Sequence, residues 1–370
     1  MKPADELELA QMIRATTGPL RILGGGTRAL GPQRKGELLE TGGLSGISLY
    51  EPGALTIVAG AGTPLAEVES ALAAEGQRLP FEVPDLRGLL GRQGASTIGG
   101  VVAANASGPR RIQAGACRDS LIGVRFVDGA GTVLKNGGRV MKNVTGYDLV
   151  KLMAGAHGTL GVLTEVAFKV LPRPEVEATL VKSDLTPEQA VQAMAAALGS
   201  PFEVTGAGYV AGQLRLRIEG MAGSVAYRTS ALAKLLGAGW DVAEAAQSAA
   251  LWAELRDVKP LAGPAGAVWR ISVKPSDIPK VLALVGTDTV CDWGGGLIWA
   301  LVSEEGDVMA GQLRGLVAQI GGHATLVRAS DETYAQVPAF QPEPPELAVL
   351  AAGLRARFDP RGLLNPGLMG

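Results

Sequence analysis

The chain of 370 residues contains little cysteine and little histidine, two residues of each. Cys117 and Cys291 lie far apart in the sequence, so the chain by itself cannot form a disulfide framework, a cysteine-rich zinc site or an iron-sulfur site. Two free thiols are typical of a protein in a reducing cytoplasm.

An excess of charge of one sign and long apolar runs are also missing. The formal net charge is -2, and the 34 lysine and arginine residues form no cluster that would bind nucleic acid. The most apolar stretches, such as residues 190–198, are much shorter than the roughly 20 residues that cross a bilayer. Asp5, Glu6 and Glu8 stand where a signal peptide would be basic and then apolar. We therefore expect a cytoplasmic protein that reaches the inner face of the cell membrane only through partners.

Length and hydrophobic content are sufficient for more than one core. The chain is 47% hydrophobic, and a single core stops growing at roughly 250 to 300 residues. Pro172 and Pro174 interrupt any central strand or helix, because proline lacks a backbone donor. We therefore predict a first domain over residues 1–172, a second domain over 173–340, and a C-terminal helix and tail over 341–370.

The first half alternates short β-branched runs with glycine-rich turns, which is typical of an α+β fold. Residues 55–59 are predicted as a buried strand, followed by a helix with Thr63 as its cap and Pro64 as its first residue. Residues 121–128 and 132–134 are predicted as a hairpin. The sheet of this half is expected to be mixed.

The second half alternates predicted helices and strands, and no internal repeat is present. Helices are expected over residues 188–198, 227–236, 279–284, 307–320 and 346–358, and strands over 213–218, 268–273, 297–302 and 324–327. This alternation predicts a small α+β sandwich.

Three glycine-rich segments carry residue types suited to ligand binding. The first, residues 21–28, is an apolar strand that runs into Gly24, Gly25 and Gly26. Such glycines let successive backbone N–H groups point to one spot, which forms an anion site that a pyrophosphate can enter. A tight strand-to-loop turn would give the same pattern.

The second segment, residues 94–108, combines small residues with a few polar ones. The small residues leave room for a large planar group against the main chain, and Ser96, Thr97, Asn105 and Ser107 offer polar contacts. The composition predicts a pocket wall. A packed helix rich in alanine and glycine, flanked by loops, is the alternative.

The third segment consists of Lys-Asn-Val-Thr-Gly-Tyr-Asp at residues 142–148 and a glycine-containing β-rich run at 155–166. Gly158 and Gly161 permit close approach of the backbone to a ligand. An ordinary bulged strand would explain this segment alone.

Together and in this order, the three segments resemble the FAD-binding half of bacterial glycolate oxidase and D-lactate dehydrogenase flavoproteins, of the vanillyl-alcohol-oxidase (PCMH-type) family. The resemblance covers about residues 19–172, and residues 358–367 resemble the segment by which such enzymes return to the flavin. It implies an α+β fold with a PCMH-type FAD-binding domain of two α+β subdomains and a smaller α+β cap domain.

The resemblance also implies which residues contact the cofactor. Residues 24–28 would wrap the pyrophosphate, residues 96–100 and 105–108 would run toward the flavin ring, and Gly161 and Val162 would lie near the adenine end. The absence of histidine beside the glycine loop, where Thr27 stands, implies non-covalent binding. The complete set of implied cofactor contacts is Leu23, Gly24, Gly25, Gly26, Thr27, Arg28, Pro84, Gly94, Ala95, Ser96, Thr97, Gly99, Gly100, Asn105, Ser107, Gly108, Gly158, Gly161, Val162 and Asn365.

The sequence departs from the family in its substrate half. Related 2-hydroxy-acid dehydrogenases carry His-x-Gly-x-Gly-Asn-x-His, whose histidines help to hold a divalent metal. Residues 292–299 keep the glycine spacing but neither histidine, so no metal is expected. His323 is a weak candidate for a general base, with a structural role as the alternative. Arg110, Arg111 and Arg328 could supply a carboxylate clamp.

These departures favour an FAD-binding oxidoreductase subunit whose activity requires partners. The resemblance implies a larger FAD-binding oxidase subunit, an iron-sulfur subunit and a small hydroxy-acid such as glycolate as substrate. A self-sufficient, metal-independent dehydrogenase and a non-catalytic scaffold remain alternatives. An NAD enzyme would rest on residues 60–65, which lack the third glycine of that motif. The tryptophans all lie in the second half, where they could anchor partners or pack in a core.

Overall fold

The structure is a computed structural model that describes residues 1–32, 35–138 and 146–369. Residues 142–145 of the predicted Lys-Asn-Val-Thr-Gly-Tyr-Asp motif lie outside the described residues. Within the described ranges, no helix is both long enough and apolar enough to cross a membrane.

The first half, up to residue 172, contains short helices around small sheets. Its elements are α1 (Glu6–Ala15), β1 (Leu20–Leu23), β2 (Glu37–Glu40), β3 (Ile47–Glu51), β4 (Thr56–Gly60), α2 (Leu65–Ala74), β5 (Gln77–Arg78), α3 (Arg87–Leu90), α4 (Ile98–Ala103), α5 (Arg111–Ala114), α6 (Cys117–Ser120), β6 (Leu121–Val127), β7 (Val133–Gly137), α7 (Leu149–Met153), β8 (Val162–Lys169) and β9 (Leu171–Pro172).

The main sheet of this half has five strands in the order β3-β4-β8-β6-β7. Every neighbouring pair in it is antiparallel, so the prediction of a mixed sheet is wrong. Parallel pairing occurs instead between β1 and β2, which form a separate two-stranded sheet with Leu20 opposite Glu37. Strand composition does not show which strands become neighbours, because pairing depends on how the connections cross the sheet.

Helix α2 starts one residue later than the sequence predicts. The Thr63 hydroxyl donates to the Gly60 carbonyl at 2.7 Å and accepts the Gly46 N–H at 2.9 Å, so it ties two loops together and does not cap the helix. Pro64 occupies the cap position, and the N–H of Leu65 donates to the Ser96 carbonyl at 2.7 Å. The start of this helix is therefore attached to the second glycine-rich segment.

The second half is built on one large antiparallel sheet. Its elements are β10 (Val176–Lys182), α8 (Pro187–Leu198), β11 (Gly206–Val210), β12 (Gln213–Gly220), α9 (Ala222–Leu236), β13 (Asp241–Glu244), α10 (Ala245–Arg256), β14 (Ala267–Ser272), α11 (Ile278–Val285), β15 (Thr289–Asp292), β16 (Leu297–Val302), α12 (Ala310–Ile320), β17 (His323–Arg328), α13 (Asp331–Gln336) and α14 (Pro345–Phe358). The strand order is β13-β10-β12-β11-β15-β16-β14-β17. In this half, sequence reasoning missed β10, β11, β13, β15, α10 and α13.

The two faces of this sheet have different environments, because successive side chains of a strand point to opposite sides. On β14, Trp269 and Ile271 enter the core beneath helices α8, α11 and α12. Val268 and its neighbours on the opposite face pack with Leu89 of the first half. Residues of β14 on the same face as Val268, among them Arg270, therefore point toward the first half.

Five charged residues, three of them buried and two half-buried, also join the two halves, and we call them the buried ion cluster. Glu219 accepts from Arg110 at 2.8 Å and pairs with Arg78 at 2.6 Å, while Glu82 accepts from Arg217 at 2.8 Å. Burial by itself would raise the pKa of Glu82, but Arg217 and Arg110 outweigh it and lower the pKa to about 2. Both carboxylates are thus ionised at neutral pH. Glu219 of the second half neutralises arginines of the first half, and Glu82 of the first half neutralises Arg217 of the second.

Candidate cofactor site

The first glycine-rich segment lies directly against the second through backbone contacts. A Cβ atom at Gly25 would lie 1.5 Å from the carbonyl oxygen of Ala95, and one at Gly24 would lie 2.4 Å from the Thr97 hydroxyl. Neither position has room for a side chain. Glycine is therefore required for residues 24–26 and 94–97 to form two walls of one cleft.

The space within and in front of this cleft, which is open to solvent, amounts to about 900 Å³. Helix α4 forms one side, and Thr97 caps it by accepting the Gly100 N–H at 3.3 Å. The second segment thus forms a short helix that is also a wall of the pocket. The two interpretations of its sequence, a pocket wall and a packed helix, each describe part of it. Among the predicted contacts, the residues that line the cleft are Leu23, Gly24, Gly25, Gly26, Thr27, Arg28, Thr97, Gly99, Gly100, Gly158 and Gly161.

The C-terminal tail returns to this cleft. The side-chain oxygen of Asn365 accepts the Ile22 N–H at 2.8 Å, and its amide nitrogen donates to the His157 carbonyl at 2.9 Å. The N–H of Leu20 also donates to the Leu363 carbonyl at 2.7 Å. One asparagine therefore joins the strand before the glycine loop to the turn before Gly158.

Arg28 lies between this cleft and a second cavity, and lines both. Its guanidinium donates to the Ser96 hydroxyl at 2.6 Å and to the Pro84 carbonyl at 2.7 Å. Burial lowers its pKa to about 10, and the Nε atom has no hydrogen-bond partner. This arginine is positioned for an anionic group that enters either space.

The second cavity lies between the halves and has a volume of about 320 Å³, and we call it the arginine cavity. Arg28, Leu30, Ala104 and His157 line both spaces, so the cavity continues from the glycine cleft. The residues that line the arginine cavity include no aspartate and no glutamate among those described.

Strand pairing places the polar residues of the second half in this cavity. Arg270 of β14 lies opposite Trp299 of β16 and Thr325 of β17, and Ser272 lies opposite His323. Residues paired across neighbouring strands share one face of a sheet. The same face that packs on the first half therefore presents an arginine, a histidine and a tryptophan to the cavity.

Two arginines contact one tryptophan ring at the cavity wall. The guanidinium carbon of Arg111 lies 4.2 Å from the centroid of Trp293, and that of Arg270 lies 5.2 Å from it. Burial, together with the smaller effect of the nearby Arg111, lowers the pKa of Arg270 to about 10. Burial, followed by the charges of Arg270 and Arg111, also lowers the pKa of His323 below its ordinary value of 6.5. His323 is therefore neutral at neutral pH.

Comparison with known proteins identifies the family. A family model described as FAD binding domain matches residues 1–137. Over 353 residues the chain is 38% identical to glycolate oxidase subunit GlcE of Escherichia coli (strain K12), which covers 95% of this chain and 92% of that protein. The chain belongs to the GlcE family of glycolate oxidase subunits. It is thus an FAD-binding protein of an oxidoreductase family, as the sequence motifs predicted.

Two further relatives of this GlcE-family chain differ in extent. Glycolate oxidase subunit GlcD of Bacillus subtilis (strain 168) is 43% identical over 86 residues, which are 23% of this chain and 18% of that protein. A solved structure of alkyldihydroxyacetonephosphate synthase has a TM-score of 0.70 at 15% identity and covers 99% of this chain and 75% of that one. The second similarity concerns the fold alone. Together with the FAD binding domain matched over residues 1–137, it confirms the predicted α+β, PCMH-type class.

All but two of the remaining predicted contacts of the GlcE-family chain lie at or near the two spaces. Pro84, Asn105 and Ser107 line the arginine cavity. Gly94 and Ala95 touch Gly25, Ser96 bonds Arg28, and Asn365 bonds Ile22. Gly108 and Val162 line neither space: the Gly108 carbonyl accepts the Trp293 indole N–H at 3.0 Å, and Val162 is buried in the core beside α1.

The predicted carboxylate clamp is brought together only in part. Arg111 and His323 line the arginine cavity, but Arg110 belongs to the buried ion cluster. Arg328 donates to backbone carbonyls, including that of Leu261 at 2.8 Å. Sequence reasoning missed Arg270. A charged residue inside the apolar strand predicted at 268–273 was the signal that could have identified it.

Proposed function

We propose that this chain is the FAD-binding subunit of a glycolate-type 2-hydroxy-acid oxidase complex, where it accepts or relays electrons from hydroxy-acid oxidation. The similarity to GlcE along nearly the whole chain carries the proposal. The glycine cleft and the adjoining arginine cavity support it, because together they offer space for a dinucleotide and for a small acid beside it.

The residues of the cleft fit a flavin dinucleotide bound without a covalent link. Backbone N–H groups of residues 24–27 would hold the pyrophosphate, and Arg28 would add charge. Asn105 and Ser107 would lie toward the flavin ring, and Gly161 toward the adenine. The remaining predicted contacts would complete the walls. When bound, the flavin supplies an acceptor for the electrons removed from the substrate.

We further propose the domain organisation that the sequence suggested. Residues 1–172 would bind FAD, residues 173–340 would form a cap for substrate or partners, and residues 341–370 would pack back on the first domain. The names of the relatives, which are glycolate oxidase subunits, support assembly with other subunits. We propose that these are a larger FAD-binding subunit and an iron-sulfur subunit. Cytoplasmic localisation, with peripheral membrane attachment through that complex, is part of the proposal.

Anaerobic titration of the purified chain with glycolate and with D-lactate tests the function, followed by repetition with co-expressed partner subunits. We expect a yellow protein whose flavin is reduced slowly alone and rapidly in the complex. Protein that carries no flavin absorbance would favour a scaffold and overturn the proposal.

A self-sufficient, metal-independent dehydrogenase is the second candidate, because the arginine cavity contains the groups that this activity needs. Arg270 and Arg111 could hold a carboxylate, and the neutral imidazole of His323 could take up the hydroxyl proton. Rapid reduction of the flavin by glycolate in the isolated chain, abolished by His323→Ala, would favour this candidate over the first.

A further inference from the structure

The arginine cavity carries positive charge that the described residues leave unbalanced. The buried arginines of the ion cluster have carboxylate partners, as Arg110 and Arg217 show. Arg270 is perturbed by burial and by Arg111, and no carboxylate acts on it; the closest acidic influence on Arg111 is the exposed Asp119. Two uncompensated cations at a low-dielectric wall favour the binding of an anion.

Aromatic rings lie close to the guanidinium groups of both arginines. Trp293 contacts both guanidinium groups, and Trp299 lies with its centroid 5.9 Å from the guanidinium carbon of Arg270. A guanidinium close to an aromatic ring still carries N–H groups along the edges of its plane that can donate to an anion. Those edges match the two oxygens of a carboxylate, which accepts paired hydrogen bonds from arginine.

We propose that Arg270 and Arg111 form a metal-free carboxylate subsite for a small 2-hydroxy- or 2-oxo-monocarboxylate. Thr325 and His323 offer polar contacts to the hydroxyl or oxo oxygen on the adjacent carbon. The remaining walls include the apolar Leu30, Leu86 and Phe340. Arg28 also lines this cavity, but the proposed function assigns it to the pyrophosphate, so a second carboxylate would have no partner of its own. The subsite rests on the proposed function and specifies the class of acid that it would use.

The test uses 2-hydroxyisobutyrate, a hydroxy-acid that has no α-hydrogen and so binds without being oxidised. Its binding to the flavin-loaded chain is measured by calorimetry and by the tryptophan fluorescence that Trp293 and Trp299 would change. We expect Arg270→Gln and Arg111→Gln each to weaken binding about 10- to 100-fold, with FAD content unchanged. Arg270→Lys should recover part of the loss, because it keeps the charge but not the paired donors.

Arg118→Gln is the matched control, because Arg118 lies close to Arg111 in sequence but is exposed and paired with Asp119 at 3.7 Å. It should bind the acid like the unaltered protein. The proposal is overturned if the neutral diol 2-methylpropane-1,2-diol binds as tightly as the acid, if inorganic phosphate binds more tightly, or if both glutamine variants retain full affinity. A chain that holds FAD and receives electrons in the complex but shows no acid binding would refute the subsite and leave the proposed function intact.

Discussion

Replacing Gly25 with alanine tests whether the two glycine-rich walls must touch in order to hold FAD. The added Cβ would lie 1.5 Å from the Ala95 carbonyl oxygen, whereas real Cβ contacts are not shorter than 3.0 Å. The walls must therefore separate by about 1.5 Å. A shift of this size would move an N–H group out of the donor-to-acceptor distances of roughly 2.7–3.2 Å at which it donates effectively to an oxygen.

The magnitude follows from the donors that the shift removes. A hydrogen bond to a charged group contributes about 1.5–3 kcal/mol, so the loss of two N–H donors to a pyrophosphate weakens binding by roughly 3–6 kcal/mol. FAD affinity should fall about 100- to 10,000-fold. The dissociation constant is measured by adding FAD to flavin-free protein and following the quenching of flavin fluorescence.

Gly18→Ala is the control, because a Cβ atom there has no neighbour within 4 Å. Thermal unfolding of the flavin-free proteins separates the two effects, since overpacking alone should destabilise Gly25→Ala by about 1–3 kcal/mol. If Gly25→Ala folds and binds FAD within about threefold of the unaltered affinity, the backbone of this loop does not hold the pyrophosphate.

Three further outcomes are expected. Glu219→Gln should lower the free energy of unfolding by about 3–5 kcal/mol, because it leaves buried arginines unpaired. Glu203→Gln, which removes an exposed ion pair, should lower it by less than about 1 kcal/mol. Urea titration measures the free energy of unfolding of both variants. The carboxylates of the buried ion cluster have lowered pKa values, so the stability that they provide is complete above their ordinary pKa of 4.5 and is lost as pH falls toward about 2. An acid titration followed by circular dichroism should show this loss of stability. The loss should be smaller in Glu219→Gln, which lacks one of these carboxylates. Asn365→Ala should release the tail from Ile22 and weaken FAD binding about tenfold, and unchanged FAD affinity would show that the tail does not shape the cleft.

Local patterns were sufficient to predict much of the fold. The hairpin of β6 and β7 and the helix that ends at Leu198 follow from turn residues, proline positions and apolar periodicity. The neighbours of each strand did not follow, because antiparallel or parallel pairing depends on distant connections. Helix α10 was missed since its apolar residues form no clear stripe, and its position depends on packing of Trp252 against the sheet.

The candidate site was predictable where its chemistry depends on backbone. Segments of small residues leave space beside the main chain. The resemblance therefore predicted, from the sequence, that such segments line a ligand site. Side-chain positions could not be predicted in this way. Arg110 and Arg111 are adjacent in sequence, yet one enters the buried ion cluster and the other lies on Trp293. Only the packing of the second half separates their roles.

The distribution of charge between the halves gives a physical reason for this separation. Arg110 and Arg217 meet carboxylates and thereby fix the two halves against each other. Arg111 and Arg270 also come one from each half, but their guanidinium groups lie beside the ring of Trp293 and not beside carboxylates. A protein that needed only stability would gain from neutralising the second pair as it does the first, because an unpaired buried cation is costly. The retained charge is therefore best explained by an anion that binds in the cavity, and the ion cluster nearby keeps both arginines positioned to receive it.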